Sequence, residues 1–115
     1  MGVVYYSNYL IWFECARTQW LRTLGTSYAA VEAQGLFLPA RRCEVIYHES
    51  ARYDRPVVVK TWVTKLTPAR VDFAYQVRDE QTGALLAEGS TEHAFVEASG
   101  KVSRRGLKTI GIDGK

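Results

Sequence analysis

The spacing of apolar residues changes near residue 40 and divides the chain into a helical part and a β part. In the first part Tyr9, Trp12, Phe13, Ala16, Trp20 and Leu24 recur at three- and four-residue steps. That spacing puts side chains on one face of an α-helix. A second row, Leu10, Ile11 and Leu21, widens the apolar surface to well over half the circumference. Glu14, Arg17, Thr18, Gln19, Arg22 and Thr23 form the remaining polar strip. A helix with so few wet positions is predicted to be wrapped by other elements. Ser7 or Asn8 suits its start, since either side chain can accept a bond from a free backbone N–H. Gly25 suits its end, where glycine turns left-handed without steric cost. Thr26 or Ser27 then caps a short second helix, Tyr28 to Gln34, stopped by Gly35.

From Ala40 onward the period is that of strands. A first strand begins at Arg42-Cys43-Glu44-Val45-Ile46-Tyr47, and the polar run Ser50 to Pro56 breaks it. Val57 to Leu66 is a long strand, followed by a turn at Thr67-Pro68-Ala69. Arg70 to Arg78 alternates, with Val71, Phe73, Tyr75 and Val77 on one face. Asp79 to Gly83 is a hairpin connection, with Gly83 suited to positive φ. Ala84 to Glu97 is the last strand. Connections this short join antiparallel strands. The expectation is an α+β domain over residues 1–115, with about four antiparallel strands curved round one long buried helix.

Composition narrows the class. The chain is 47% apolar and 23% charged, the balance of a soluble globular protein. No apolar run approaches the roughly 20 residues that span a bilayer. The start carries no basic stretch of a signal peptide, so a cytoplasmic protein is expected. The net charge of +3 is unevenly placed. Residues 101–115 read as a basic C-terminal tail. They hold Lys101, Arg104, Arg105, Lys108 and Lys115 against Asp113, a local +4 that leaves the rest at −1. A nucleic-acid-binding domain would spread its basic residues over the folded body, so that class is excluded. The tail suits a polyanionic small molecule or plain solvent. Cys15 and Cys43 form no metal-like spacing with each other or with His48 and His93. Both are expected as buried, reduced thiols, both histidines as structural, and no metal site is expected.

The pattern Gly2-x-Val4-Tyr5-x-x-Asn8-Tyr9-x-x-Trp12-x-Glu14-x-Ala16-Arg17 resembles the signature of the hotdog-fold acyl-CoA thioesterases of the 4-hydroxybenzoyl-CoA thioesterase type. Tyr47 to Asp54, Thr61-Trp62-Val63, Arg70 to Tyr75 and Gly89-Ser90-Thr91-x-His93 are similar to later segments of the same family. The resemblance implies a hotdog fold, with the sheet as bun and the helix as filling. It also implies subunits that pair as a homodimer or homotetramer with active sites at the interface. The implied activity is hydrolysis of a thioester to free coenzyme A and a carboxylic acid. No cofactor is implied, coenzyme A being part of the substrate. The family's catalytic aspartate ends a first strand, three residues before the motif glycine. Here that place falls two residues before Met1, so neither the aspartate nor that strand is among these residues.

Thioester hydrolysis needs an attacking or activating group, a donor for the developing oxyanion and a hold on the coenzyme A arm. A helix start supplies free N–H groups and a favourable dipole. By resemblance, the Tyr6 backbone N–H polarises the thioester carbonyl, and Gly2 permits close approach of the substrate. Tyr5, Asn8 and Tyr9 are implied substrate contacts. Glu14 is the internal carboxylate available for attack, and another hotdog lineage uses a helical carboxylate. Equally, Arg17 or Thr18 could satisfy Glu14 locally. Arg70 matches the family's basic position near the nucleotide, and Arg104 and Arg105 lie in the segment that often sits alongside. Arginine suits phosphate through its planar fork. Two readings follow: an acyl-CoA thioesterase, or a catalytically inactive hotdog protein that binds acyl-CoA or only assembles.

Overall fold

The computed structural model describes residues 7–49 and 55–112. Helix α1 spans Ser7–Thr23. Gly25, at φ +79°, closes it by donating to the Arg22 carbonyl at 3.0 Å. Helix α2 is Tyr28–Ala33, capped by Ser27, whose hydroxyl accepts from the Ala30 N–H at 3.1 Å. Then follow β1 (Leu36–Phe37), β2 (Ala40–Tyr47), β3 (Val57–Thr67), β4 (Arg70–Asp79), β5 (Leu85–Ala94), β6 (Val96–Glu97) and α3 (Gly106–Thr109).

The main sheet has the order β2-β5-β4-β3 and is antiparallel throughout. Strands β3, β4 and β5 form a meander. Strand β2 joins on the far side of β5, so β2 and β3, neighbours in sequence, become opposite edges. The β4–β5 connection is set by Asp79. Its carboxylate accepts from the Gln81 N–H at 2.8 Å, the Thr82 N–H at 3.0 Å and Arg55 at 3.0 Å. The Thr82 N–H above all holds this carboxyl below its ordinary pKa. Gly83 supplies the positive φ of +76°.

Helix α1 lies against the face of the curved sheet that carries Phe73, Tyr75 and Gly89. Phe13 is wholly buried and stacks on Tyr75, ring centroids 4.0 Å apart. Trp20 meets Phe73 edge-on at 5.1 Å. Val71, Val77, Leu86 and Ala87 complete this layer with Tyr9 and Leu21. The hotdog arrangement expected from the sequence is therefore present, with its helix and antiparallel sheet.

Three details differ from the sequence reading. Leu10 and Ile11 stand 48% and 53% exposed, because the four strands cover one side of α1 and leave its outer flank open. The last strand is not continuous. It breaks at Phe95, which buries its ring and turns its N–H to the Ala69 carbonyl at 2.9 Å. Beyond the break β6 pairs with β1 in a separate two-stranded ribbon. Finally, residues 101–112 fold back onto the domain. Ser103 donates its N–H to Phe95 at 2.8 Å, Gly106 donates to Pro68 at 2.9 Å, and Ile110 is fully buried. Among the described residues, no helix is long and apolar enough to cross a membrane.

The closeness of α1 to the sheet depends on Gly89. A Cβ there would lie 2.5 Å from the Phe13 ring and 2.9 Å from the Glu44 carbonyl oxygen. Gly89→Ala is expected to destabilise the domain by about 1–3 kcal/mol through overpacking, measured as a lower urea midpoint with unchanged m-value.

Candidate active site

A chain of polar side chains runs from α1 through the core to β5. Arg17 donates to the Tyr28 hydroxyl at 3.2 Å and to the Tyr75 hydroxyl at 3.0 Å. Tyr75 lies 2.6 Å from the Thr91 hydroxyl, and Thr91 lies 2.8 Å from His93 Nε2. His93 Nδ1 lies 3.0 Å from the Leu38 carbonyl oxygen. The direction of every proton follows from the two ends. A carbonyl can only accept, so Nδ1 carries the hydrogen; a guanidinium can only donate. Neutral His93 then accepts at Nε2 from Thr91, Thr91 accepts from Tyr75, and Tyr75 accepts from Arg17. Burial pushes the His93 pKa down, with the Arg17 charge acting the same way and the Leu38 carbonyl opposing. Burial pushes the Tyr75 phenol up, partly offset by its bonds to Arg17 and Thr91. The sequence places His93 as structural and marks Arg17 only as a neighbour of Glu14. The network joins residues 58 and 16 positions apart, so no local spacing announces it.

Both ends of this chain reach concave surface. Arg17 lines a groove of about 690 Å³ with Glu14, Tyr28, Phe37, Leu38 and Val96. His93 lines a hollow of about 510 Å³ with Arg41, Arg42, Arg70 and Val102. A third groove, about 620 Å³, runs between α1 and β3 past Trp12, Ala16, Trp20, Val57 and Val59.

The sequence-derived site residues distribute among these surfaces. Gly2, Tyr5 and Tyr6 lie outside the described residues, and Asn8 occupies the first turn of α1. Tyr9 is 2% exposed, its ring edge-on to Trp12 and Tyr47 at 5.0 and 5.1 Å. Glu14 is exposed on the wall of the Arg17 groove. The local pairing open to Glu14 does not form among the described residues. Arg17 turns inward to the two tyrosines, and the Thr18 hydroxyl takes the Glu14 backbone carbonyl at 2.9 Å instead. Arg70 forms a paired contact with Asp72 at 2.7–3.1 Å and reaches Glu92 at 3.3 Å. Arg104 and Arg105 are exposed. The next residue, Gly106, bonds Pro68 in the β3–β4 turn, which brings this pair to the end of the sheet that carries Arg70. Cys15 and Cys43 are exposed free thiols, not buried ones: Cys15 lies on the open groove between α1 and β3, and Cys43 is on the edge strand β2. His48 pairs with Glu88 at 2.9 Å on the surface. Among the described residues, no cluster of three or more metal-ligating side chains occurs.

The depressed pKa of His93 has a consequence for stability. Its folded value lies below the unfolded one, so its contribution is complete above about pH 6.5 and is lost as pH falls through the folded pKa. Protonation would also put a donor on Nε2 and reverse the Thr91 bond. Unfolding free energy is expected to fall below about pH 6.5 with a slope of up to about 1.4 kcal/mol per pH unit from this one group. The His93→Gln variant is expected to lose that slope in urea titrations run from pH 5 to 8, while the exposed His48 remains in both proteins.

Comparison with known proteins identifies the family. The sequence model of the thioesterase-like superfamily matches residues 1–108. The chain is 37% identical over 97 residues to the acyl-CoA thioesterase YbgC of Haemophilus influenzae, spanning 84% of this chain and 70% of that one. It is 29% identical over 97 residues to the putative acyl-CoA thioesterase YneP of Bacillus subtilis, with the same shares of 84% and 70%. Among solved structures it resembles a DHNA-CoA thioesterase from Staphylococcus aureus at 40% identity and a TM-score of 0.83, covering 89% of this chain and 68% of that one. With its helix, its antiparallel sheet and this match over nearly all its length, the chain belongs to the thioesterase-like superfamily.

Proposed function

We propose that the protein hydrolyses acyl-CoA thioesters, releasing coenzyme A and a carboxylic acid without a cofactor or metal. The superfamily match over residues 1–108 carries this reading. The chemistry has a physical place at the start of α1. Helix N–H groups in the first turn lack intrahelical acceptors and favour developing negative charge. The Tyr6 N–H polarises the carbonyl, Gly2 lets the substrate approach, and Tyr5, Asn8 and Tyr9 bound the acyl group.

Glu14 is the carboxylate offered for attack or water activation. It lies seven residues beyond Ser7, the first residue of the helix. At 1.5 Å per residue that is about 10 Å along the axis, too far to act on a carbonyl held at its own helix start. Glu14 therefore serves a neighbouring subunit, and the working form is a homodimer or homotetramer in the cytoplasm. The coenzyme A phosphates fall to the arginines at the Pro68 end of the sheet. Arg70 is already balanced by Asp72 and Glu92, so the exposed Arg104 and Arg105 hold the larger share.

The second reading is a hotdog protein that binds acyl-CoA or only assembles. It is favoured by Glu14, which is exposed and, among the described residues, is not held by Arg17 or by the Thr18 hydroxyl. The two are separated by coenzyme A release from a small panel of acyl-CoAs, read with a thiol reagent. The expected result is turnover by this chain, a fall in kcat of about 10²-fold or more in Glu14→Gln, and acyl-CoA binding retained. Binding without thiol release would establish the second reading. Arg104→Ala together with Arg105→Ala is expected to raise KM several-fold at nearly constant kcat, a loss of uniform binding, and more than Arg70→Ala does.

A further inference from the structure

His93 stands between two positive surfaces. One is the hollow lined by Arg41, Arg42 and Arg70. The other is the Arg17 guanidinium, reached through Thr91 and Tyr75. Two carboxylates answer this charge, and both are committed. Asp72 is held by a paired contact with Arg70, and Glu92 lies 3.3 Å from Arg70 and 4.0 Å from Arg42. Among the described residues Arg41 makes no ion pair, although it lines the same hollow. The remaining groups against the ring are uncharged: the Leu38 carbonyl, the Phe73 edge at 5.6 Å, and Val102 in the hollow.

The polar chain satisfies all its members in one protonation state only. With neutral His93 each hydroxyl hydrogen has an acceptor. A proton on His93 puts a hydrogen on Nε2, so Thr91 must accept there and turn its own hydrogen to Tyr75. Tyr75 then receives donors from both Thr91 and Arg17, and its phenolic hydrogen has no acceptor among these partners. A buried hydroxyl left in that position is costly, and the new cation repels Arg17. The bond that gives is Arg17 to Tyr75, because Arg17 keeps a second partner in Tyr28 and borders the groove that holds Glu14. With Arg17 gone, solvent from the groove can take the phenolic hydrogen. A proton on His93 and Arg17 seated on Tyr75 thus exclude one another.

We propose that the arginine hollow binds a phosphate-like dianion, and that its binding brings a proton to His93 and unseats Arg17 from Tyr75, so that the hollow controls the groove beside Glu14. An anion in the hollow cancels the positive field that opposes a charge on the ring, and between partly buried groups this effect is only weakly screened. Arginine suits the ligand because its planar fork pairs with two phosphate oxygens. Without the anion, burial keeps His93 neutral, with Arg17 acting the same way and the Leu38 carbonyl and Asp72 opposing. The chain therefore rests with Arg17 seated near neutral pH. The linkage is reciprocal: a proton on His93 tightens the anion by the same factor by which the anion tightens the proton. Coenzyme A and free phosphate share the required chemistry, so the coupling does not depend on the hydrolase reading.

The test follows the ring signals of His93 and His48 in the full chain by NMR, from about pH 4 to 8. Ionic strength is held constant and the anion is either sulfate, which does not titrate in this range, or chloride. In sulfate the His93 midpoint is expected to rise by about half a unit or more, about a threefold gain in proton affinity. His48, paired with Glu88 on the surface, is expected to stay in place. Near pH 6, hydrogen exchange at the Arg17 guanidinium is expected to quicken about threefold or more when sulfate replaces chloride, and to be indifferent to the anion in His93→Gln. Arg41→Gln together with Arg42→Gln is expected to remove the sulfate effect, with folding checked by circular dichroism. A His93 midpoint indifferent to sulfate, or one that moves equally with that of His48, would overturn the proposal. So would a sulfate effect that survives the double arginine variant, or Arg17 exchange that does not respond. Coenzyme A and inorganic phosphate, each used in place of sulfate, separate the two sources: the ligand is the one that moves His93 at the lower concentration. No readout here is coenzyme A release, so failure of this coupling and failure of the hydrolase reading are distinguishable.

Discussion

The contact between Phe13 and the sheet is the constraint on which the rest depends. Its ring stacks on Tyr75 and occupies the space that a side chain at position 89 would fill. Only with α1 this close does Arg17, one turn further on, reach the Tyr75 hydroxyl. That bond orders Thr91 and His93, and His93 in turn holds the carbonyl of Leu38. Helix, sheet and the lead-in to β2 are thus fixed by one aromatic stack and the polar chain beside it. A fully partnered buried network of this kind specifies one arrangement, since any shift leaves a buried group unpaired.

The helix, the four long strands and their turns were legible because their signals are local. Phe13, Ala16 and Trp20 announce a helix by spacing alone; Val71, Phe73, Tyr75 and Val77 announce a strand; Asp79 and Gly83 announce the hairpin between strands. The hotdog arrangement was legible because the run from Gly2 to Arg17 carries a recognisable pattern. What escaped is set by distant partners. Strand order is decided by which edge β2 meets, and nothing in Arg42–Tyr47 names β5. The break at Phe95 and the return of residues 101–112 follow from burial of Phe95 and Ile110, visible only once a core exists. At the candidate site, Glu14 was placed correctly on the helix, but its neighbour Arg17 was claimed by tyrosines 11 and 58 residues away.

Charge is also sorted in space. The groove beside α1 holds Glu14, Glu32 and Glu97 with Arg17. The hollow at the far end of the polar chain holds Arg41, Arg42 and Arg70 with Glu92. A ligand with several negative charges at one end and an uncharged body would find these two surfaces unequal, and would be oriented before contact by the field they make.

The strand order also bears on the sequence of events during synthesis. Strands β3, β4 and β5 are consecutive, so their pairings close short loops and form early. Helix α1 leaves the ribosome before the sheet, and Phe73, Tyr75 and Gly89, against which Phe13 packs, follow some sixty to seventy-five residues later. Until then Tyr9, Phe13 and Leu21 are exposed to water on the nascent chain. The folding of this domain is thus completed backwards, with α1 docking after the meander that follows it in the sequence.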